Sequence, residues 1–193
     1  MKIQNVVIAG GGVLGSQIAY QCSYAGFHVT TYLRSEASVE RARPKVARLH
    51  GIYTAELQAA KAGATPVSRG LVMNQDPAGA DFDKLLQKAD AAYEGFHYET
   101  DLAAAVADAD LVIEALAEQP EAKEAFFSQL SPLLPEKTII ATNSSTLLPS
   151  LLAESTGRPA KFLALHFANN IWKQNIAEVM GHSGTAPESY EAV

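Results

Sequence analysis

Val6-Val7-Ile8-Ala9-Gly10-Gly11-Gly12-Val13-Leu14-Gly15 is the stretch that decides the fold of this chain. Residues 6–9 are uninterrupted apolar residues, the pattern of a strand buried on both faces of a parallel sheet. Gly10, Gly12 and Gly15 then follow in G-x-G-x-x-G spacing, and Ser16-Gln17-Ile18-Ala19-Tyr20 continues as a helix. In a strand–turn–helix unit each glycine has a task. Gly10 turns sharply out of the strand, Gly12 lets the backbone approach a pyrophosphate, and Gly15 lets the helix pack closely on the sheet. The helix that opens there points free amides and the positive end of its dipole at phosphate oxygens. Together with Gly11, Val13 and Leu14, the turn is the expected dinucleotide site. A glycine-rich turn without a ligand accounts poorly for the third glycine.

Working outward, strands are expected at 3–9 and 28–32 around a helix at 13–25. A long charged helix follows at 36–61, which Pro44 should end or kink. Residues 62–80, rich in Gly, Pro and small side chains, read as an exposed loop. Asp81 is a candidate cap for a helix running to Tyr93. Strands are expected near 96–99, 111–115, 138–142 and 162–167. Helices are expected near 101–107, from Pro120, and near 147–154, with a returning strand at 176–180. Alternating strands and helices call for an α/β fold, a Rossmann-like, doubly wound, mostly parallel sheet with one antiparallel return strand. Residues 1–185 form one dinucleotide-binding and catalytic domain in this reading, with a helical protrusion at about 36–93.

With 193 residues, 48% of them hydrophobic, the chain has enough apolar material for one good core. Its net charge of −6 and lack of a basic block argue against nucleic-acid or membrane partners. No signal peptide or apolar run of 18 residues occurs, so a cytoplasmic location is expected. Cys22 is the only cysteine and falls on the apolar side of the first helix, where a buried, unreactive thiol is expected.

Ligands bind beyond the carboxyl ends of strands in such sheets. Asn143-Ser144-Ser145 follows one strand there, and His166 closes the next. If 162–167 and 176–180 pair as a hairpin, residues equidistant from position 172 face each other, and His166 and Glu178 meet that condition. The carboxylate would then orient the imidazole and stabilise its protonated form, as a general base requires. Ser145 and Asn169 could hold a substrate oxygen as it becomes a carbonyl. Each residue also has an ordinary alternative: a strand-end histidine, an edge-strand charge, a helix cap.

The chain resembles the N-terminal domain of the L-3-hydroxyacyl-CoA dehydrogenases, the 3-hydroxybutyryl-CoA dehydrogenases included. That family carries a glycine turn, D-L-V-I-E-A-x-x-E with a Lys five residues on, S-N-T-S-S, Arg-Pro, L-H-F-F-N-P and V-E-V. Here the counterparts are Asp110-Leu111-Val112-Ile113-Glu114-Ala115-Leu116-Ala117-Glu118 with Lys123, and Thr142-Asn143-Ser144-Ser145. Arg158-Pro159, Leu165-His166-Phe167-Ala168-Asn169 and Ala177-Glu178-Val179 follow in the same order. The resemblance implies that His166 is the catalytic base and Glu178 its partner. It places Ser145 and Asn169 at the substrate oxygen or the nicotinamide, and Asn143, Glu118 and Lys123 at the cofactor. The implied reaction interconverts a 3-hydroxyacyl and a 3-oxoacyl group by hydride transfer to a nicotinamide. A non-catalytic dinucleotide-binding or redox-sensing module is the alternative.

Three departures qualify these expectations. The residue that usually bonds the ribose 2′-hydroxyl is Leu33, followed by Arg34 and Ser35, which could hold a 2′-phosphate. Family resemblance favours NAD, whereas this local chemistry favours NADP. The Ser and Lys that the family uses for CoA fall on Leu49 and Glu56, and L-H-F-F-N-P has lost a Phe and its Pro, with Trp172 close behind. The substrate is therefore a 3-hydroxyacyl-CoA or a smaller 3-hydroxy acid, with Trp172 either walling the pocket or simply packing. The resemblance implies a further helical domain that closes the cleft and builds a homodimer; these 193 residues are expected either to be a fragment lacking it or to act without it. Cofactor binding with poor catalysis is expected of this chain alone.

Overall fold

The computed structural model describes residues 2–73 and 75–193. Among these, seven strands make one sheet in the order β3-β2-β1-β4-β5-β6-β7. The strands are β1 (Asn5–Ala9), β2 (His28–Tyr32), β3 (His97–Glu99), β4 (Leu111–Glu114), β5 (Ile139–Thr142), β6 (Phe162–Phe167) and β7 (Ala177–Met180). All pairs are parallel except β6 with β7, which run antiparallel. The doubly wound sheet with a return strand is thus the observed architecture.

Alternation along β1 divides the core. Val6 and Ile8 face one layer and Val7 and Ala9 the other, because successive strand side chains point to opposite faces. The first layer holds α1 (Val13–Ala25), α2 (Glu36–Lys61) and α3 (Phe82–Glu94). Tyr20, Tyr24 and Tyr53 interlock there edge to face, with centroids 4.9 and 5.4 Å apart. The second layer packs Phe126, Phe127 and Leu130 of α5 (Pro120–Leu130) against Val112, Ile140 and Phe162. Burial of this aromatic and aliphatic surface supplies the main driving force for folding. Asp110 ties the amino ends of the central strands β1 and β4, accepting hydrogen bonds from the Gln4 and Asn5 amides at 2.9 Å while Lys137 lies 2.8 Å away.

Several local expectations need correction. Pro44 does not end α2, which runs on through it to Lys61. Buried Val39, Ala42, Val46, Leu49, Tyr53 and Leu57 keep helical spacing on both sides of the proline, so packing of that face outweighs the lost backbone hydrogen bond. The 62–80 stretch is not exposed throughout. Gly70, Leu71 and Val72 are buried; the Gly70 and Leu71 carbonyls accept from Gln21 Nε2 and Tyr24 Oη, and the Gly70 amide donates to Trp172 O. A Cβ on Gly70 would lie 2.6 Å from that same carbonyl, so glycine here permits the loop to close on the body. Asn74 of this stretch lies outside the described residues.

The expected helix at 147–154 is shorter, α6 (Pro149–Leu152) followed by a 3-10 turn. The Asp81 cap is present, its carboxylate accepting from the Lys84 amide. α4 (Leu102–Val106) is capped in the same way by Asp101. Two short helices were not anticipated, α7 (Ile171–Gln174) and α8 (Pro187–Ala192). Among the described residues, no helix is long and apolar enough to cross a membrane.

Candidate active site

The glycine turn is shaped by atoms that glycine lacks. Gly10 has φ +130°, and a Cβ there would lie 2.4 Å from the Ala115 carbonyl oxygen. A Cβ on Gly15 would lie 2.4 Å from the Gly10 carbonyl oxygen, so α1 can approach the turn only because position 15 is bare. Gly12 is different: nothing lies within 4 Å of where its Cβ would be. It faces open space at the start of α1, whose first amides no side chain caps. Uncapped amides beside this open backbone fit a pyrophosphate group.

The opposite wall is built from charges. Glu114, at the end of β4, is fully buried and accepts from Lys123 Nζ at 2.6 Å, Thr142 Oγ1 at 2.7 Å and the Leu116 amide at 2.6 Å. Lys123 is itself buried and also lies 3.4 Å from Glu118. One Glu118 oxygen gathers the 143–146 turn, accepting from the Ser144 hydroxyl, from the Ser145 and Thr146 amides at 3.1 Å, and from Thr146 Oγ1 at 3.0 Å. Burial alone would raise the Glu118 carboxyl. The Ser144 and Thr146 hydrogen bonds and the Lys123 charge outweigh it and hold the group at about 2. Glu118 is therefore a carboxylate that shapes its loop.

His166 and Glu178 are register partners across β6 and β7, with Nδ1 and Oε2 3.3 Å apart. Asn143 Oδ1 accepts from the Phe167 amide at 3.0 Å, joining the end of β5 to that of β6. A cleft of about 770 Å³ is lined by the Gly10–Gly15 turn, Glu118, Lys123, Asn143, Ser145, His166 and Asn169. The structure thus brings most of the sequence-predicted residues to one place. Glu178 reaches the cleft only through His166. Arg34 lines a neighbouring cleft of about 710 Å³ beyond the same glycines. Ser35 lines neither and contacts Ser38, oxygen to oxygen at 3.1 Å.

Some participants escaped the sequence reading. Glu114 and Thr142 complete the buried network, and a charge closing an apolar strand was the available signal, because such a charge needs a partner. Ser38, Arg41 and Lys45 line the second cleft with Arg34, and Arg41 Nη2 donates to Ser38 Oγ at 2.8 Å. Their helical spacing from Ser35 is visible in the sequence but marks only a charged helix face. Trp172 is buried, with its ring 5.6 Å from that of Tyr53. Arg158 spends its guanidinium on the carbonyls of Pro135, Thr138, Ser131 and Leu134, a structural role away from the cleft. Cys22 is partly buried, and desolvation pushes its thiol up to about 12. Among the described residues, no three His, Cys, Asp or Glu side chains are grouped to hold a metal.

Comparison with known proteins gives this cleft a context. Residues 5–193 match the family described as 3-hydroxyacyl-CoA dehydrogenase, NAD binding domain. A probable 3-hydroxybutyryl-CoA dehydrogenase of Bacillus subtilis is 29% identical over 98% of this chain and 57% of its own length. A solved diketoreductase, described through substrate-directed dual catalysis of dicarbonyl compounds, is 44% identical with a TM-score of 0.82. That match covers 100% of this chain and 59% of the diketoreductase. The 3-hydroxybutyryl-CoA dehydrogenase of Escherichia coli is 26% identical with a TM-score of 0.77, over 99% of this chain and 35% of that one. The chain therefore spans somewhat over half the length of the curated relative and of the diketoreductase.

Proposed function

The chain belongs to the 3-hydroxyacyl-CoA dehydrogenase family through its NAD-binding domain, and from that premise we propose that it serves an NAD(P)-dependent dehydrogenase of 3-hydroxyacyl compounds or related 3-hydroxy acids. The observation that carries this reading is the His166–Glu178 contact at 3.3 Å, in register, with His166 on the cleft that the glycine turn opens into. A bound nicotinamide supplies the hydride acceptor. The chain's own residues do the rest. With Nδ1–H donated to Glu178, His166 keeps Nε2 free to take the substrate hydroxyl proton, and the carboxylate stabilises the imidazolium that results. Ser145 and Asn169, both on the cleft, hold the oxygen as it becomes a carbonyl. Glu118 fixes the loop that presents Ser145, and Lys123 fixes Glu118.

NADP is the cofactor that the second cleft favours. Leu33 is buried against the turn, its Cδ2 2.8 Å from where a Cβ on Gly11 would stand, and it accepts no ribose hydrogen bond. Arg34, Ser38 and Arg41 together offer cations and a hydroxyl to a 2′-phosphate. The reading further takes the substrate to be a small molecule, the setting cytoplasmic, and the assembly a homodimer built by a further helical domain, as the family resemblance implies. Residues 1–185 act in it as one cofactor-binding and catalytic unit.

Titration with NADH and NADPH, followed by turnover of His166→Ala, tests the proposal. The expected result is tighter NADPH binding that His166→Ala leaves within about twofold, while turnover falls about 10²–10⁴-fold. Unchanged turnover in His166→Ala would remove His166 as the base, and no turnover in wild type with binding intact would return the chain to a dinucleotide-binding module. Binding of neither nucleotide would remove the cofactor reading as well.

A further inference from the structure

Beside the main cleft lies a smaller pocket of about 250 Å³ between α1, α2 and α7. Lys45, Arg48, Leu49 and Ile52 supply its α2 wall, at the i, i+3, i+4, i+7 spacing of one helix face. Val13, which is 64% exposed, lines this pocket and the main cleft alike. Asn170 lines it too and directly follows Asn169 of the main cleft. The main cleft, with His166 on it, therefore adjoins a chamber with an apolar floor and a cationic side.

Resting on the function proposed above, we infer that this pocket takes a carboxylate carried by the substrate itself, so that the preferred substrate is a free 3-hydroxy acid and not a CoA thioester. Three observations carry it. The Arg48 side chain makes no hydrogen bond or ion pair among the described residues, and no acidic residue lines the pocket. Lys45 adds a second cation one turn away, its Nζ held 2.7 Å from the Arg41 carbonyl. An unpaired arginine on an apolar wall suits a carboxylate, which it can grip through two parallel N–H donors.

Size points the same way. A chamber of 250 Å³ suits a short acid, since pockets for larger, drug-sized ligands begin at roughly 300 Å³. Glu56, one turn beyond Ile52, accepts from the Ser68 amide at 2.8 Å, and Gly70 is tied to Trp172. That stretch of α2 is thus engaged in closing the 66–72 loop onto the body.

Steady-state kinetics of the full chain test the inference, with C4–C6 3-hydroxy acids, their methyl esters and their CoA thioesters, in wild type, Arg48→Met and Arg48→Lys. Arg48 is exposed and Met preserves its stem, so the fold is not at stake. The free acid is expected to have the highest kcat/KM. Arg48→Met should raise its KM about tenfold to a hundredfold with kcat within about twofold, Arg48→Lys should recover part of that loss, and the esters should be indifferent. Equal or better use of esters or thioesters, with no effect of Arg48→Met on the acid, would overturn the inference and leave the dehydrogenase reading standing. Absence of turnover on every compound by a protein that carries the family's further helical domain and still binds NAD(P)H would overturn that reading and the inference with it.

Discussion

At the carboxyl end of β1 the cleft wall is bare backbone, whereas at the ends of β4 and β5 it is a knot of charged and hydroxylic side chains. The first wall is defined by missing atoms: Gly10 and Gly15 have carbonyl oxygens 2.4 Å from where their Cβ atoms would stand. The second is defined by mutual dependence. Glu114 is tolerable in the core because Lys123 and Thr142 reach it, and Glu118 holds its turn with Lys123 behind it. A backbone wall fails when something is added, and a charged wall fails when something is taken away. The two walls divide the structural work in the same way: the bare side leaves room at the turn, and the charged side holds the 143–146 turn in place.

The largest effect is expected from Lys123→Met, which strands Glu114 as a buried charge. Breaking a buried ion pair from one side costs about 3–5 kcal/mol, read as a lowered urea midpoint. Glu114→Gln added to Lys123→Met should restore most of the loss; if the double variant is no better than the single, the charges are not the reason the wall holds. Next comes Gly10→Ala, where φ +130° and the Ala115 carbonyl both oppose a side chain, with an expected cost of about 1–3 kcal/mol or more. Gly12→Ala sharpens the comparison, because its Cβ points into open space. Stability should stay within about 0.5 kcal/mol while dinucleotide affinity falls, so equal destabilisation by the two alanines would erase the distinction between turn and cradle.

The smallest effect is acid-dependent. The Glu118 carboxyl, held at about 2 against its ordinary 4.5, stabilises the fold fully above pH 4.5 and loses that contribution as pH falls towards 2. Its side chain is about a third exposed, so screening keeps the contribution modest. Glu118→Gln should flatten the stability curve of wild type across that window, leaving the slope due to Asp110, which is also held at about 2. An unchanged slope in Glu118→Gln would mean that the clamp does not titrate with the fold.

What could be read from the sequence follows from how each feature is encoded. The sheet was legible because a two-sided buried strand leaves an apolar run, and the return strand placed Glu178 opposite His166 by simple counting. The charged network was only half legible: Glu118 and Lys123 stood out through the family resemblance, while Glu114 was hidden inside a strand motif. Lys45 and Arg48 look in sequence like any solvated helix face, and only the approach of α7 makes that face a pocket wall. The 36–61 helix was legible, but Pro44 did not end it, because the proline signal is local and the packing that overrides it is not. The 66–72 loop misled for a related reason. The Gly, Pro and small residues of the surrounding 62–80 stretch say nothing of Tyr24, Gln21 and Trp172, which come from distant parts of the chain to hold it.

One contact described above bears on the order in which the molecule assembles. His166 and Glu178 are separated by 12 residues, whereas Glu118 reaches across 26 to Ser144 and Asp110 across 106 to Gln4. Closing a short loop forfeits less chain entropy than closing a long one, and nearby pairings form sooner. In hydrogen-exchange pulse labelling, the amides of the β6–β7 hairpin are expected to gain protection before those joining β1 to β4. A complete chain refolding from denaturant would then hold its imidazole and carboxylate side by side before the glycine floor beneath them had formed.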